Sequence, residues 1–562
     1  MIVTYTPWVF LDEYRGKAFP GLWPTLPELF RIMVSRFGER PCFTIYEPDR
    51  ISLNYRESLA KIEAVARWLC SKNVRKGDRI AVTGKNSPEW TVAYLGILCA
   101  GAIVVPIDYQ LKNEETDLLL NTAGVTILFV DEEKHSHYEQ KPGQLIELVS
   151  LRKGVGAYIY ELDGPDQPIE QAKELDTAAI LFTSGTTGIP KGVMLSHQNL
   201  VSDSYLAQGN LKLYSTDVFY ALLPIHHAYT MLAVFIVAIA CGAEVVFGKR
   251  MVTKAILKDL KEAKITMLLG VPMLFNKVLA GIIRGVKAKG PLVYGLISVL
   301  MGISGLIKKT TGKNPGKKMF HSVLSQASLS TLRICICGGG PLSPSVFRKY
   351  NQLGIDFIQG YGLTETSPIL TLNPVEHYKE MSVGRISPQV DMKILNPDER
   401  GIGEIVVKGP MVMQGYYKLP QETAAAFTQD GYLKTGDLGY VDSESYLYLT
   451  GRAKNLIVTE GGKNIYPEEI ENEFQLFEEI DQILVRGFVL NKKMKTEGIE
   501  ALVYPDQEFF KASTPAQIKQ CIEEIVSEVN KRLLPYQKIE KTIIVDKRME
   551  ETTTKKIKRD VV

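Results

Sequence analysis

Residues 183–191 read Thr-Ser-Gly-Thr-Thr-Gly-Ile-Pro-Lys and combine the donors that an oxyanion needs. Gly185 and Gly188 let the backbone curl so that successive N–H groups point at one anion, while Thr183, Ser184, Thr186 and Thr187 add uncharged hydroxyl donors. Lys191 supplies a point charge for phosphate oxygens. The spacing is not the Walker pattern, because Gly192 and no Ser or Thr follows the lysine. Such a turn is also a common flexible loop, so its meaning depends on the rest of the chain. Gly338 to Pro341 offer a flat backbone surface without side chains, and Tyr361 an aromatic face; together they can sandwich a purine. Glu365, beside Thr364, can hold a Mg²⁺ shared with phosphate oxygens, and Asp437 can accept from both hydroxyls of a ribose. An isolated Thr-Gly-Asp is usually only a turn. Five compatible pieces at strand ends are harder to explain that way.

The elements that must position these pieces alternate along the chain. Phe43–Tyr46, Arg79–Val82, Ile103–Pro106 and Ile127–Val130 read as short strands, and Ser58–Ser71 and Pro88–Gly101 as intervening helices. The strand before the first loop is Ala178–Phe182; later ones are Val218–Leu223, Ile265–Leu269, Arg333–Cys337 and Ile355–Gln359. This alternation predicts parallel sheet covered by helices, with ligand loops gathered at the carboxyl ends of the strands. Ser343 is expected to cap the helix that follows it. Beyond Val383 short strands and turns suggest a β subdomain, and from Gly451 the texture changes again, with helices at Pro467–Phe477 and Pro515–Leu533. The expected fold is α/β: a large N-terminal domain (1–450) of helix-flanked sheets with a β subdomain, plus a small mobile α+β C-terminal domain (451–562).

With 562 residues, the chain is too long for one core. Apolar content of 45% and charged content of 23% are those of a soluble globular protein, and a net charge of +3 is too small to argue for nucleic acid. Seven scattered cysteines read as reduced thiols and a cytoplasmic setting, with Cys335 and Cys337 as buried packing. The first residues carry no signal-peptide pattern. Neither apolar run, Met231–Phe247 or Leu292–Ile307, is expected to span a bilayer; the second is short against the roughly 20 residues needed.

Taken in order, TSGTTGIPKG, GYGLTET, TGD and GRAKN resemble the adenylate-forming superfamily of acyl-CoA synthetases, adenylation domains and luciferases, over nearly the whole chain. The LTGRAKNLIVTEGGKNIYPEEIE run, the TTTKKIKR ending and an insertion between 277 and 325 look most like long-chain fatty acyl-CoA synthetases. This resemblance implies that ATP and a carboxylic acid, a medium- or long-chain fatty acid, give acyl-AMP and pyrophosphate, after which the acyl group passes to coenzyme A. It implies Ser184, Gly185, Thr186, Thr187 and Lys191 as a phosphate loop, with Thr183 and Gly188 at its ends. Thr364 and Glu365 then meet phosphate and Mg²⁺. Gly339, Gly340, Tyr361 and Gly362 frame the adenine, and Asp437 with Arg452 hold the ribose. His227 falls beside the acyl carboxylate and thioester tunnel, with His226 less defined. Register against the family ending puts Lys556 at the catalytic position, although Glu550, Glu551 and Lys555 depart from the family pattern. Lys454 is implied as the hinge whose rotation withdraws Lys556 and brings Gly461, Gly462 and Lys463 towards the thiol.

Alternatives are a synthetase that loads acyl carrier protein, an aryl- or amino-acid-adenylating enzyme, and a binding protein that kept only the fold. The amino-acid reading is disfavoured because Pro-Ile-His-His follows Leu223 where such domains place an aspartate. Residues 280–328 contain no acid and carry eight Lys or Arg around the apolar run. Two readings of that segment stand: an interfacial helix making peripheral contact with the inner face of a membrane through 280–325, or a lid over the acyl tunnel.

Overall fold

A computed structural model describes residues 8–139, 147–183, 190–248, 252–458, 464–491, 496–551, 557 and 559. Ser184, Gly185, Thr186, Thr187, Gly188, Gly461, Gly462, Lys463 and Lys556 therefore lie outside the described residues.

Helix starts follow local capping chemistry. The helix expected from Ser58 begins earlier, at Tyr55–Ser71, because Asn54 and Glu57 form a reciprocal capping box. Its apolar face, Ile62, Val65, Ala66 and Leu69, is buried. Ser343 stands at the N-terminus of Pro344–Gln352, yet its hydroxyl does not cap that helix. It meets Ser345 Oγ at 3.1 Å instead, while its backbone N–H donates to Gln475 Oε1 at 2.7 Å.

Two large sheets carry the frame. In the first, Asp356–Gly362, Ile334–Cys337, Met267–Gly270, Val218–Ala221, Glu244–Phe247 and Pro41–Ile45 run parallel, side by side. The β subdomain is hydrogen-bonded into this same sheet, because Ile369–Leu372 pairs antiparallel with Asp356–Gly362 and leads on to the strands beyond Val383. The second sheet is centred on Ile103–Ile107 and Arg79–Thr83, with Thr177–Thr183 and Lys191–Ser196 on one side. Pro88–Cys99, buried on every face, joins the two layers by packing Trp90 and Tyr94 against Phe235 at 6.4 and 5.5 Å between ring centroids. Cys335 and Cys337 are buried, as their apolar setting predicts.

The C-terminal part folds around a three-stranded sheet of Ile480–Asn491, Thr496–Pro505 and Lys541–Ile544, with a core of its own that includes Val485, Val503, Ile522 and Val529. Its acidic helix stops at Asn472 rather than Phe477, and its later helix spans Pro515–Asn530. The second apolar run departs more from expectation. The helix is Pro291–Thr311, and at 21 residues it is long and apolar enough to cross a membrane.

Candidate active site

The carboxyl ends of the parallel strands open onto one cleft of about 2720 Å³. A single small-molecule site occupies roughly 300–1,000 Å³, so this cleft has room for more than one ligand. Thr183, Lys191, His227, Gly339, Gly340, Tyr361, Gly362, Thr364, Glu365, Asp437, Arg452 and Lys454 all line it. Residues more than 270 positions apart in the chain thus share one wall system.

At one end the Asp437 carboxylate, itself buried, is held from two sides. Tyr361 donates its hydroxyl to Oδ2 at 2.6 Å, and Arg452 Nε lies 2.6 Å from Oδ1. Burial, then the Asp437 charge, pushes the Tyr361 hydroxyl well above its usual range, so it stays a donor. Beside this pair the chain turns through Gly338–Gly340 after the Ile334–Cys337 strand. A Cβ on Gly340 would meet nothing nearer than Pro272 Cγ at 3.5 Å, so packing within the protein does not require glycine there. The missing side chains leave a bare floor on which a flat ring can lie. Gly362 is different: a Cβ there would sit 1.5 Å from the Pro368 carbonyl oxygen, so the fold itself demands glycine.

Thr183 and Lys191 are cross-strand partners at the mouth of a hairpin, with Thr183 Oγ1 3.4 Å from Lys191 O. Lys191 Nζ lies 5.0 Å from the centre of the Tyr416 ring. Tyr416 also donates its hydroxyl to Glu365 Oε1 at 3.0 Å. Burial, then the Glu365 charge, raises the Tyr416 pKa and keeps that donor protonated. Tyr416 reaches this place because Gly415–Tyr416 adds to the edge of Lys191–Ser196 in the other sheet. A carboxylate pinned at one oxygen beside a threonine hydroxyl suits a hard cation with oxygen ligands.

The histidine pair sits after the Val218–Ala221 strand, and Asn86 sets its position. The Asn86 amide donates to Ala221 O at 2.8 Å and Leu223 O at 2.9 Å, and its Oδ1 accepts from Ile225 N at 2.9 Å. His226 and His227 stack obliquely with ring centres 4.2 Å apart. Asp108, at the end of the Ile103–Ile107 strand, lies 3.4 Å from His226 Nε2. Burial would raise the Asp108 carboxyl, but the adjoining His226 and the Gln110 amide outweigh it and hold it down at about 2. Burial, then the His226 charge, depresses His227 to about 3, so its ring is neutral at pH 7. A neutral imidazole can donate its N–H to a carboxylate without forming a fixed ion pair.

The C-terminal part closes the far wall. Gln475 Nε2 donates to Pro341 O at 2.9 Å while its Oε1 takes the Ser343 N–H, so one side chain grips the loop that carries the glycine floor. Arg559 forks onto both oxygens of Glu471 at 2.7 Å and donates to Val485 O at 2.8 Å. Burial pushes Glu471 up to about 7, with Arg559 opposing the shift. Glu551 and Ile557 form an isolated bridge, and Glu551, Ile557 and Arg559 all line the cleft. The tail is therefore fixed on both sides of the segment in which Lys556 falls.

A family model described as AMP-binding enzyme matches residues 30–417. The chain belongs to that family. It is an adenylate-forming acid–CoA ligase by family. A feruloyl-CoA synthase from Amycolatopsis sp is 29% identical over 477 residues, covering 83% of this chain and 85% of its own. A long-chain-fatty-acid–CoA ligase from Bacillus subtilis is 27% identical, over 95% of this chain and 93% of its own. The ATP-bound structure of MatB from Rhodopseudomonas palustris superimposes with a TM-score of 0.75 at 26% identity, covering 96% and 98% of the two chains.

In this AMP-binding enzyme the structure also brings in side chains that the sequence reading passed over. Asp108, Asn86, Tyr416 and Gln475 each touch the site or its loops. Asp108 alone carried a local signal, since it ends an apolar strand in the alternating series.

Proposed function

We propose that this AMP-binding enzyme activates a medium- or long-chain fatty acid with ATP and passes the acyl group to coenzyme A. The observation that carries the reading is one cleft with a nucleoside-shaped polar end and an apolar remainder. Asp437, oriented by Tyr361 and Arg452, accepts from ribose hydroxyls beside the Gly339–Gly340 floor. Lys191 and Thr183, which line the cleft, are assigned to the phosphates, and residues 184–188 are assigned there on their sequence. Glu365 with Thr364 would hold Mg²⁺, which when bound shields the charge of the triphosphate. The acid's carboxylate lies towards His227. Its oxygen forms a bond to the α-phosphorus as the bond to pyrophosphate breaks, so two anions must be brought together and the barrier is largely electrostatic. Lys556 is the group we assign to neutralise them. In the second step the thiol attacks the acyl carbon and AMP leaves, after rotation about Lys454 has removed Lys556 and brought residues 461–463 round.

The fatty-acid assignment draws on the apolar lining, including Leu211, Val237, Leu279 and Ile283, and on the long-chain relative's coverage of nearly the whole chain. The seven unpaired cysteines support a cytoplasmic setting. The test is ATP–pyrophosphate exchange with acids from acetate to oleate, with ferulate and malonate alongside. Exchange that rises with chain length supports the reading; exchange with ferulate or malonate and none with fatty acids overturns it. Offering coenzyme A and acyl carrier protein separately then identifies the acceptor, and transfer to the carrier protein alone would replace coenzyme A.

A further inference from the structure

We propose that the helix Pro291–Thr311 is a docking face for an anionic lipid bilayer and sets the mouth of the cleft against it. Leu292, Leu296, Val299, Ile303 and Leu306 recur at alternating steps of four and three, and are exposed by 89, 61, 62, 46 and 63%. They form one apolar stripe along a helix whose other side is committed to the protein. There Ser304 and Lys308 are buried, and Lys308 Nζ reaches Asn351 Oδ1 at 2.7 Å and Asp356 Oδ1 at 2.6 Å. A Cβ on Gly305 would lie 2.8 Å from Gln352 Cγ, which shows how closely the helix lies on Pro344–Gln352. Pulling the buried Lys308 away from Asn351 and Asp356 is costly, so the helix does not leave to span the bilayer. It lies along the surface with its stripe outward.

Charge decides the occupant. Residues 280–328 contain no acid. Arg284 is engaged by Glu478 at 3.1 Å, but Lys287, Lys289, Lys309, Lys313 and Lys318 stand exposed around the two ends of the helix. A second copy docking across a two-fold axis would set this predominantly basic rim against itself, whereas an anionic surface complements it. Lys287 Nζ lies 5.5 Å from the centre of the Tyr294 ring, and both residues line the cleft with Ile283. An amphipathic ring at the rim suits the lipid–water boundary. A substrate dissolved in the bilayer would thus meet the cleft without crossing water, a consequence that rests on the fatty-acid reading, while lipid binding itself does not.

The 562-residue chain is sedimented with vesicles of phosphatidylcholine, and of phosphatidylcholine with phosphatidylglycerol, at low salt and in about 0.5 M salt. The expected result is binding to the anionic vesicles that weakens with salt. It should fall roughly tenfold in Leu296→Asp/Val299→Asp and again in Lys309→Glu/Lys313→Glu, with exchange activity on dissolved octanoate unchanged. The charge pair is exposed and serves if the aspartates disturb folding. Wild-type protein that ignores anionic vesicles, or both variants binding as wild type does, would overturn the proposal. So would a dimer, seen by sizing, that Leu296→Asp/Val299→Asp breaks in a protein that does not bind vesicles. Vesicle binding without fatty-acid-dependent exchange would sink the substrate reading and leave this one standing.

Discussion

Asn86 carries none of the chemistry, yet its amide determines where His226 and His227 stand. Removing it in Asn86→Ala leaves the Ile225 N–H and Leu223 carbonyl without their buried partner. Such a loss costs about 1–3 kcal/mol, and a displaced loop moves the histidine that faces the acid. The expected outcome is a lower melting temperature together with a roughly tenfold loss of exchange rate, read by calorimetry and pyrophosphate exchange. Lys556 belongs to the same scale. Lys556→Ala should lose roughly 10²–10³ in acyl-AMP formation while still making thioester from supplied acyl-AMP. Pyrophosphate exchange near the wild-type rate would remove the lysine from its assigned role. Asp437 shows how orientation precedes binding: Tyr361 and Arg452 already hold the carboxylate, so less ordering remains for a ribose to induce.

Among elements, the junction after Tyr446–Arg452 matters most. Lys454 lies in a short turn, Ala453–Asn455, between a strand of the large sheet and the Ile457–Val458 strand that leads into the C-terminal part. Gln475 and the Arg284–Glu478 pair hold the C-terminal part in its present position. With Asn276 on Gln475 O and Arg400 beside Tyr466, these are polar contacts, the kind a gating motion can exchange. Lys454→Pro fixes φ at the turn, and should slow thioester formation from acyl-AMP far more than pyrophosphate exchange. Equal loss of both steps, followed in separate single-turnover assays, would count against a hinge there.

At the scale of the whole molecule, pH acts through buried imidazoles. His197 is fully buried, and its Nδ1 accepts the Leu26 N–H at 3.2 Å, joining the helix Leu26–Phe37 to His197–Gly209. Burial depresses it to about 4 against an ordinary 6.5, with Asp176 opposing. Between those values the unfolded chain binds the extra proton, so stability rises with pH across the window and is lost as pH falls from 6.5 towards 4. The loss from this one group is on the order of 3 kcal/mol. His197→Asn, which keeps an acceptor but cannot titrate, should flatten that part of the denaturation profile; an unchanged slope would assign the dependence elsewhere.

The sequence by itself determined the α/β class, the strand-end loops and twelve of the residues that line the cleft. Those properties depend on short-range chemistry: period-two and period-3.6 patterns, glycine turns and hydroxyl-rich loops report on neighbours a few residues away. Even there the local signal had limits, since Ser343 looks like a cap but turns its hydroxyl to Ser345. Only the tertiary structure brought Tyr416 to Glu365 and Asp108 to His226, because these meetings follow from strand order and are separated by tens to hundreds of residues. It also separated two kinds of glycine, Gly340 facing an open floor and Gly362 pressed on a carbonyl, which are identical as letters. The helix Pro291–Thr311 is the clearest case. Its apolar content was plain, but whether an apolar face is covered is a property of what packs against it, and here the structure leaves that face uncovered.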